Sequence, residues 1–136
     1  MNMKKNKMTH SIEDYLEMIY LFSEEIRSVR ITDLATRMNV RKSSIVSAVK
    51  KLAEGGFVEH ERYGAITITE SGRIRAQEVY NKHRLLKDFF LNILGLPENI
   101  AENDACNIEH YISEQTVIAI KELSAKLSEE EKKIDF

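Results

Sequence analysis

The stretch CNIEHYIS, residues 106 to 113, sets Cys106, Glu109 and His110 at positions i, i+3 and i+4, so a helix there would carry a thiol, a carboxylate and an imidazole on one face. These are donor types for a divalent transition metal. Two further acids, Asp14 and Glu17, stand three apart near the start of the chain, and His83 lies between the two clusters. Carboxylates favour manganese and iron(II), imidazole suits iron, nickel and zinc, and a thiolate draws softer ions. Structural zinc usually takes four Cys or His ligands, so a set with three carboxylates points to an exchangeable manganese or iron(II) ion. Cys106 is the only cysteine, which excludes an internal disulfide and leaves three roles open: small hydrophobe, reactive thiol or metal ligand. The other residues also have ordinary uses, Asp14 as a capping acid, Glu17 as a surface charge and His83 as a hydrogen-bonded histidine.

Helices must position these groups. Ser11 is placed to cap a helix over about residues 11 to 26, with Asp14 at its N3 position and Ile12, Leu16, Ile19 and Tyr20 at helical spacing. Thr32 is expected to cap a short helix, DLATRM, that stops at Asn39. A third helix begins near Ser43 and turns Ile45, Val49 and Leu52 inward, leaving Arg41, Lys42, Ser44, Ser47, Lys50 and Lys51 on other faces. Two short helices across a tight turn make a helix-turn-helix, whose second helix enters the DNA major groove. Gly55 and Gly56 end that helix, and FVEHERYGAITIT reads as two short strands around a turn near Tyr63 and Gly64. The order predicts a winged helix. Ser43, Ser44 and Ser47 are the expected base readers; Arg41, Lys42, Lys50 and Lys51 are expected on phosphates, with Arg62 and Tyr63 reaching the backbone or minor groove from the wing. The competing reading is a winged-helix module that binds protein.

Charge supports the first reading. Residues 27 to 82 hold eleven Lys and Arg against six Asp and Glu, a net +5, whereas residues 83 to 136 hold six against eleven, a net -5. A basic segment suits a polyanion, and an acidic one suits cations or self-association. Downstream of the wing, SGRIRAQEVYNKHRLLKDFFLNILG reads as one long connecting helix ended by Gly95, and Pro97 opens a helix over about residues 98 to 112. Ser113 then caps EQTVIAIKELSAKL, with Val117, Ile118, Ile120, Leu123 and Leu127 as an apolar stripe, and LSEEEKKIDF is either a helical end or a frayed terminus. Three helices without a sheet form a thin core, so a two-fold homodimer is expected to cover them. The expected protein is mainly α, with a winged-helix domain over residues 1–72 and a helical dimerisation and metal-binding domain over 73–136. The lysines of MNMKKNKMTH lack an apolar segment behind them and no run approaches the ~18 residues of a membrane span, so a cytoplasmic protein with no membrane partner is expected.

Four blocks, SIEDYLEMIYLF, ITDLATRMNVRKSSIVSAVKKLAEGGFVEHERYGAITITESG, KHRLLKDFF and CNIEHYIS, resemble the diphtheria-toxin-repressor family of metal-dependent regulators in order and approximate spacing. The resemblance spans nearly the whole chain. It implies a homodimeric repressor of metal-uptake genes that binds two-fold DNA sites, with metal held by Asp14, Glu17, His83, Cys106, Glu109 and His110. Asp14 and Glu17 resemble the first-helix acids of the manganese-sensing branch, whereas Cys106 stands where iron sensors carry Cys and manganese sensors usually carry Glu. Lys87 departs from the acid that the iron branch uses at an ancillary site, and Glu102 could lend a ligand nearby. With 136 residues, the chain is expected from this resemblance to lack the SH3-like third domain of the longer iron regulators, and so to be like the shorter manganese regulators. Manganese(II) is the expected ion, iron(II) the competing one, and other divalent transition metals substitutes.

The expected mechanism is a clip. Asp14 and Glu17 belong to the DNA-binding half and Cys106, Glu109 and His110 to the other, so shared metal would fix the spacing of two recognition helices. Metal and DNA would then strengthen each other's binding equally, by about 1–3 kcal/mol of coupling. Two rivals stand beside it: a regulator switched by oxidation of Cys106 without metal, and an enzyme using Cys106 with His110 or a catalytic metal. No GxGxxG or GxxxxGK[ST] loop is present, and neither an enzyme nor a small-molecule substrate is expected.

Overall fold

A computed structural model describes residues 11–134 apart from Arg27 and Tyr63, the last three residues by backbone alone. Helix α1 spans Ile12–Glu25 and opens with a capping box: Asp14 N–H donates to Ser11 Oγ at 3.1 Å, and Ser11 N–H donates to Asp14 Oδ2 at 3.0 Å. Helix α2 spans Ile31–Met38 and α3 spans Lys42–Glu54. Thr32 does not cap α2. Arg30 occupies the cap with an extended backbone, and its N–H donates to Asp33 Oδ2 at 3.0 Å; the Asp33 carboxylate reaches back one turn and starts the helix two residues earlier than expected. Asn39 ends α2 with φ 54°, the left-handed conformation that asparagine tolerates better than most side chains. The α2–α3 pair is the expected helix-turn-helix.

Leu16 and Ile19 from α1, Leu34 and Ala35 from α2, and Ile45, Val49 and Leu52 from α3 form one buried cluster. Strands β1 (Val58–His60) and β2 (Ile66–Ile68) pair antiparallel with Val58 opposite Ile68, and Val58, Ile66 and Ile68 face that cluster while Glu59 and Thr67 are exposed. Ile66 N–H also donates to Val29 O at 2.7 Å, tying the hairpin to the segment between α1 and α2. This is a winged helix. Tyr63 at the wing tip lies outside the described residues.

Helix α4 spans Glu70–Asp88, and its start is fixed by Thr69, whose Oγ1 accepts from Gly72 N–H at 3.1 Å and donates to Gly56 O at 2.7 Å. A Cβ at Gly72 would lie 2.0 Å from Phe57 O, a clash with backbone. Gly72→Ala is therefore expected to lower stability by about 1–3 kcal/mol, the usual range for overpacking, and thermal denaturation measures it. Arg75 pairs with Glu13 at 3.0 Å, and Gln77 Nε2 donates to Tyr20 Oη at 3.2 Å, so this part of α4 is anchored along α1.

The expected long helix does not stay α-helical to Gly95. After Asp88 it widens into one π turn, Phe89–Ile93, in which Leu94 N–H reaches five residues back to Phe89 O at 3.1 Å, and Gly95 then takes φ 69°. Pro97 occupies the N-cap of α5, Glu98–Ile108, outside the first turn expected for it. Helix α5 ends four residues short of the expected Ile112, because Tyr111 and Ile112 N–H both turn to Ile108 O at 3.0 Å. Ser113 Oγ accepts from Thr116 N–H at 3.2 Å and caps α6, Glu114–Ile134, which carries the tail as helix as far as Ile134, the last described residue. The chain divides into two compact units, residues 1–79 and 80–136, so α4 contributes to both. No helix among the described residues is long and apolar enough to cross a membrane.

Candidate metal centre and nucleic-acid interface

In the first unit, the heptad-like spacing of Ile45, Val49 and Leu52 turns one face of α3 into the core and so fixes which residues face outward. Arg41, Lys42, Ser43, Ser44, Ser47, Lys50 and Lys51 are all exposed, as is Arg62 on the wing. Val46, not singled out by the sequence, is also exposed among the serines, and its place at i+3 from Ser43 is the signal that marks it. Asp14 and Glu17 lie on α1, both half-buried, with Glu17 Oε2 removed from solvent. The capping role of Asp14 is thus real and engages Oδ2.

The second unit holds His83, Cys106, Glu109 and His110. Cys106 lies in the last turn of α5 and is exposed, which removes the reading of it as a buried hydrophobe. Glu109 occupies the helix C-cap and His110 the turn after it, so the expected single helical face breaks between the thiol and the imidazole. Glu109 is nevertheless buried, at 1% exposure the sole buried charged residue among those described. A carboxylate taken out of water needs compensation by opposite charge and hydrogen bonds. His83 Nδ1 lies 2.8 Å from Glu109 Oε2, and His110 Nε2 lies 3.2 Å from Oε1. The second contact is close enough for attraction but is not aligned as a hydrogen bond, and Oε1 has no hydrogen-bond donor among the described residues. A buried anionic oxygen without a donor, flanked by two imidazoles, fits a divalent cation.

On the other side of the ring, His83 Nε2 lies 3.1 Å from both oxygens of Glu102, and Glu102 pairs with Lys87 Nζ at 3.2 Å. Lys87 also approaches Glu98 at 3.7 Å. The hydrogen bond to Glu109 is the main reason that the His83 pKa is pushed up to about 9; burial opposes it, and the charges of Glu109 and Glu102 add to it. Burial favours protonated Glu102, yet Lys87 and His83 together hold that carboxyl below its usual range. Without metal, the His83 imidazolium supplies the positive charge that Glu109 requires.

A pH dependence follows. The folded His83 holds its proton more tightly than an unfolded histidine titrating near 6.5, so this stabilisation is complete below that pH and is lost as pH rises through about 9. Urea denaturation of metal-free protein at about pH 6 and about pH 10 is expected to show the second unit weaker at the higher value. A metal ion held by His83 would have to displace the same proton, so metal affinity at such a site is expected to rise over that interval.

Residues 7–66 match the family described as iron dependent repressor, N-terminal DNA binding domain, and residues 69–133 match iron dependent repressor, metal binding and dimerisation domain. An uncharacterized HTH-type transcriptional regulator of Methanocaldococcus jannaschii is 41% identical over 115 residues, 84% of this chain and 92% of its own. The HTH-type transcriptional regulator MntR of Geobacillus kaustophilus is 32% identical over 127 residues, 93% of this chain and 89% of its own. A solved manganese-dependent transcriptional repressor in complex with manganese superposes with a TM-score of 0.74 at 35% identity, over 87% of this chain. The chain spans 53% of that repressor's length and 54% of the manganese regulator SloR, which superposes with a TM-score of 0.77 at 29% identity. With both halves of the chain matched in order, the protein belongs to the diphtheria-toxin-repressor family of metal-dependent transcriptional repressors, close to its manganese-regulator branch.

Proposed function

We propose that the protein is a cytoplasmic, homodimeric repressor that binds two-fold DNA sites when loaded with manganese(II) and so controls metal-uptake genes. Iron(II) is the competing ion, and other divalent transition metals substitute. The observation that carries this reading is Glu109, a buried carboxylate with imidazoles on both sides and an oxygen that has no hydrogen-bond donor among the described residues. The proposed ligands are His83, Cys106, Glu109 and His110 with Asp14 and Glu17. Three carboxylates and two imidazoles suit manganese(II) or iron(II), and the exposed Cys106 thiol is the donor that favours iron.

In the proposed mechanism the two compact units contribute separate parts of the ligand set. Asp14 and Glu17 ride on α1, which packs against α3, so fixing these acids fixes the recognition helix. Cys106, Glu109 and His110 would supply the remaining donors from the second unit, and His83 would give up its proton to join them. When bound, the ion supplies a positive centre that cancels the mutual repulsion of the carboxylates. DNA is then met by Ser43, Ser44 and Ser47 at base edges and by Arg41, Lys42, Lys50, Lys51, Arg62 and Tyr63 along the backbone.

Asp14→Asn tests the clip without removing the helix cap, because the amide oxygen still accepts from Ser11 N–H. Equilibrium dialysis is expected to show weaker manganese(II) binding, and fluorescence anisotropy a weaker metal response of DNA affinity. Wild-type metal affinity together with a wild-type metal response would remove Asp14 from the set. A second reading draws on the exposure of Cys106: a thiol open to peroxide forms a sulfenic acid. A change in DNA affinity on adding peroxide to metal-free protein would favour that switch.

A further inference from the structure

His83 is held from both sides, and the two sides are chemically different. Nδ1 faces buried Glu109 at 2.8 Å, whereas Nε2 faces both oxygens of half-exposed Glu102 at 3.1 Å. Glu102 is in turn held by Lys87 Nζ at 3.2 Å, one helical turn along α4 from His83. A ring bridging two carboxylates keeps its proton on one nitrogen when the other gives up its own to a metal. Nε2, close to both Glu102 oxygens, is the nitrogen placed to keep it.

We propose that Glu102, oriented by Lys87, is the positioning residue of the metal centre: it accepts the Nε2 proton of His83 and thereby presents Nδ1 to the ion alongside Glu109. The inference rests on His83 being a ligand. An outer carboxylate of this kind fixes the ring's orientation and tautomer and makes the ligating nitrogen more basic. Lys87 gives Glu102 a permanent cationic partner, so this carboxylate stays outside the coordination sphere while Glu109 enters it. Lys87, Glu102, His83 and Glu109 are thus linked in sequence by contacts of 3.2, 3.1 and 2.8 Å, from the half-exposed ammonium to the buried carboxylate.

The test uses the full chain with zinc(II) as a diamagnetic probe, measured by competition with a chromophoric chelator and by nitrogen-15 NMR of the imidazoles. Wild-type protein is expected to show His83 with metal on Nδ1 and a proton on Nε2. Glu102→Ala is expected to weaken zinc(II) by roughly 10- to 100-fold and to lose the single protonation pattern. Glu102→Gln, whose amide oxygen still accepts from Nε2–H, is expected to keep the pattern with a smaller loss; Lys87→Met is expected to fall between wild type and Glu102→Ala. Each variant's urea midpoint, taken without metal, separates misfolding from mispositioning. Unchanged affinity and an unchanged His83 spectrum in Glu102→Ala, with His83→Gln still weakened, would overturn the positioning role alone. Wild-type zinc(II) affinity in His83→Gln would overturn the ligand assignment beneath it.

Discussion

Glu109→Gln is expected to abolish the metal response of DNA binding while both compact units remain folded. The substitution keeps the shape of a buried side chain and removes its charge, so the main effect is electrostatic. In the metal-free protein, His83 then faces a neutral amide oxygen in place of the carboxylate that chiefly raises its pKa, reverts toward a neutral imidazole and remains bonded to Glu102. Burial of a charge pair is thereby exchanged for burial of a neutral pair, which is often close to neutral in stability. The metal-bound state has no such exchange. A proposed ligand has lost its charge, and the loss of metal affinity is expected to exceed the roughly 10- to 100-fold typical of outer partners. Isothermal titration with manganese(II), beside thermal denaturation without metal, checks both halves of this expectation. A variant with wild-type manganese(II) affinity would show that the buried carboxylate is a structural acid.

The other large effect is expected at the opposite end of the chain's function. Arg41 and Lys50 are exposed at the start and on the outer side of α3, and removing both charges takes away two proposed phosphate contacts without touching Ile45, Val49 or Leu52 in the core. For double-stranded DNA each contact releases about 0.9 of a counterion, so the plot of log affinity against log salt should flatten by about 1.8 in the double variant Arg41→Ala, Lys50→Ala. Affinity at low salt falls for all sequences alike, because phosphate contacts position the protein without reading bases. Manganese(II) affinity measured without DNA should stay at the wild-type value. An unchanged salt slope would take these residues out of the interface. Ser47→Ala provides the contrast, with a loss confined to one base position.

Local chemistry explains which features were legible in the sequence. Ser11 with Asp14, Asn39, Gly55 with Gly56, and Ser113 mark helix ends through contacts within a few residues, and the structure shows helix ends at each. The alternation of Val58, Ile66 and Ile68 with exposed neighbours marks the wing for the same reason. Thr32 misled because two polar residues stand side by side at the start of α2, and the longer reach of the Asp33 carboxylate to Arg30 N–H won. The π turn at Phe89–Ile93 has no sequence signature of its own, and the early end of α5 depends on a tightened turn at Ile108. The arrangement around His83 was the least legible part. Glu102 and Lys87 meet it only when α5 packs beside α4, and nothing in the spacing of residues 83, 87 and 102 states that two carboxylates will take opposite nitrogens of one ring.

The most direct test of metal-dependent DNA binding is anaerobic retention of the source organism's genomic fragments by the purified full chain in chelator, in manganese(II) and in iron(II). Retention in metal and loss in chelator is the predicted result, with manganese(II) the more effective ion. Equal retention in chelator and in both metals would contradict the metal switch, leaving the winged helix as a DNA-binding unit under some other control.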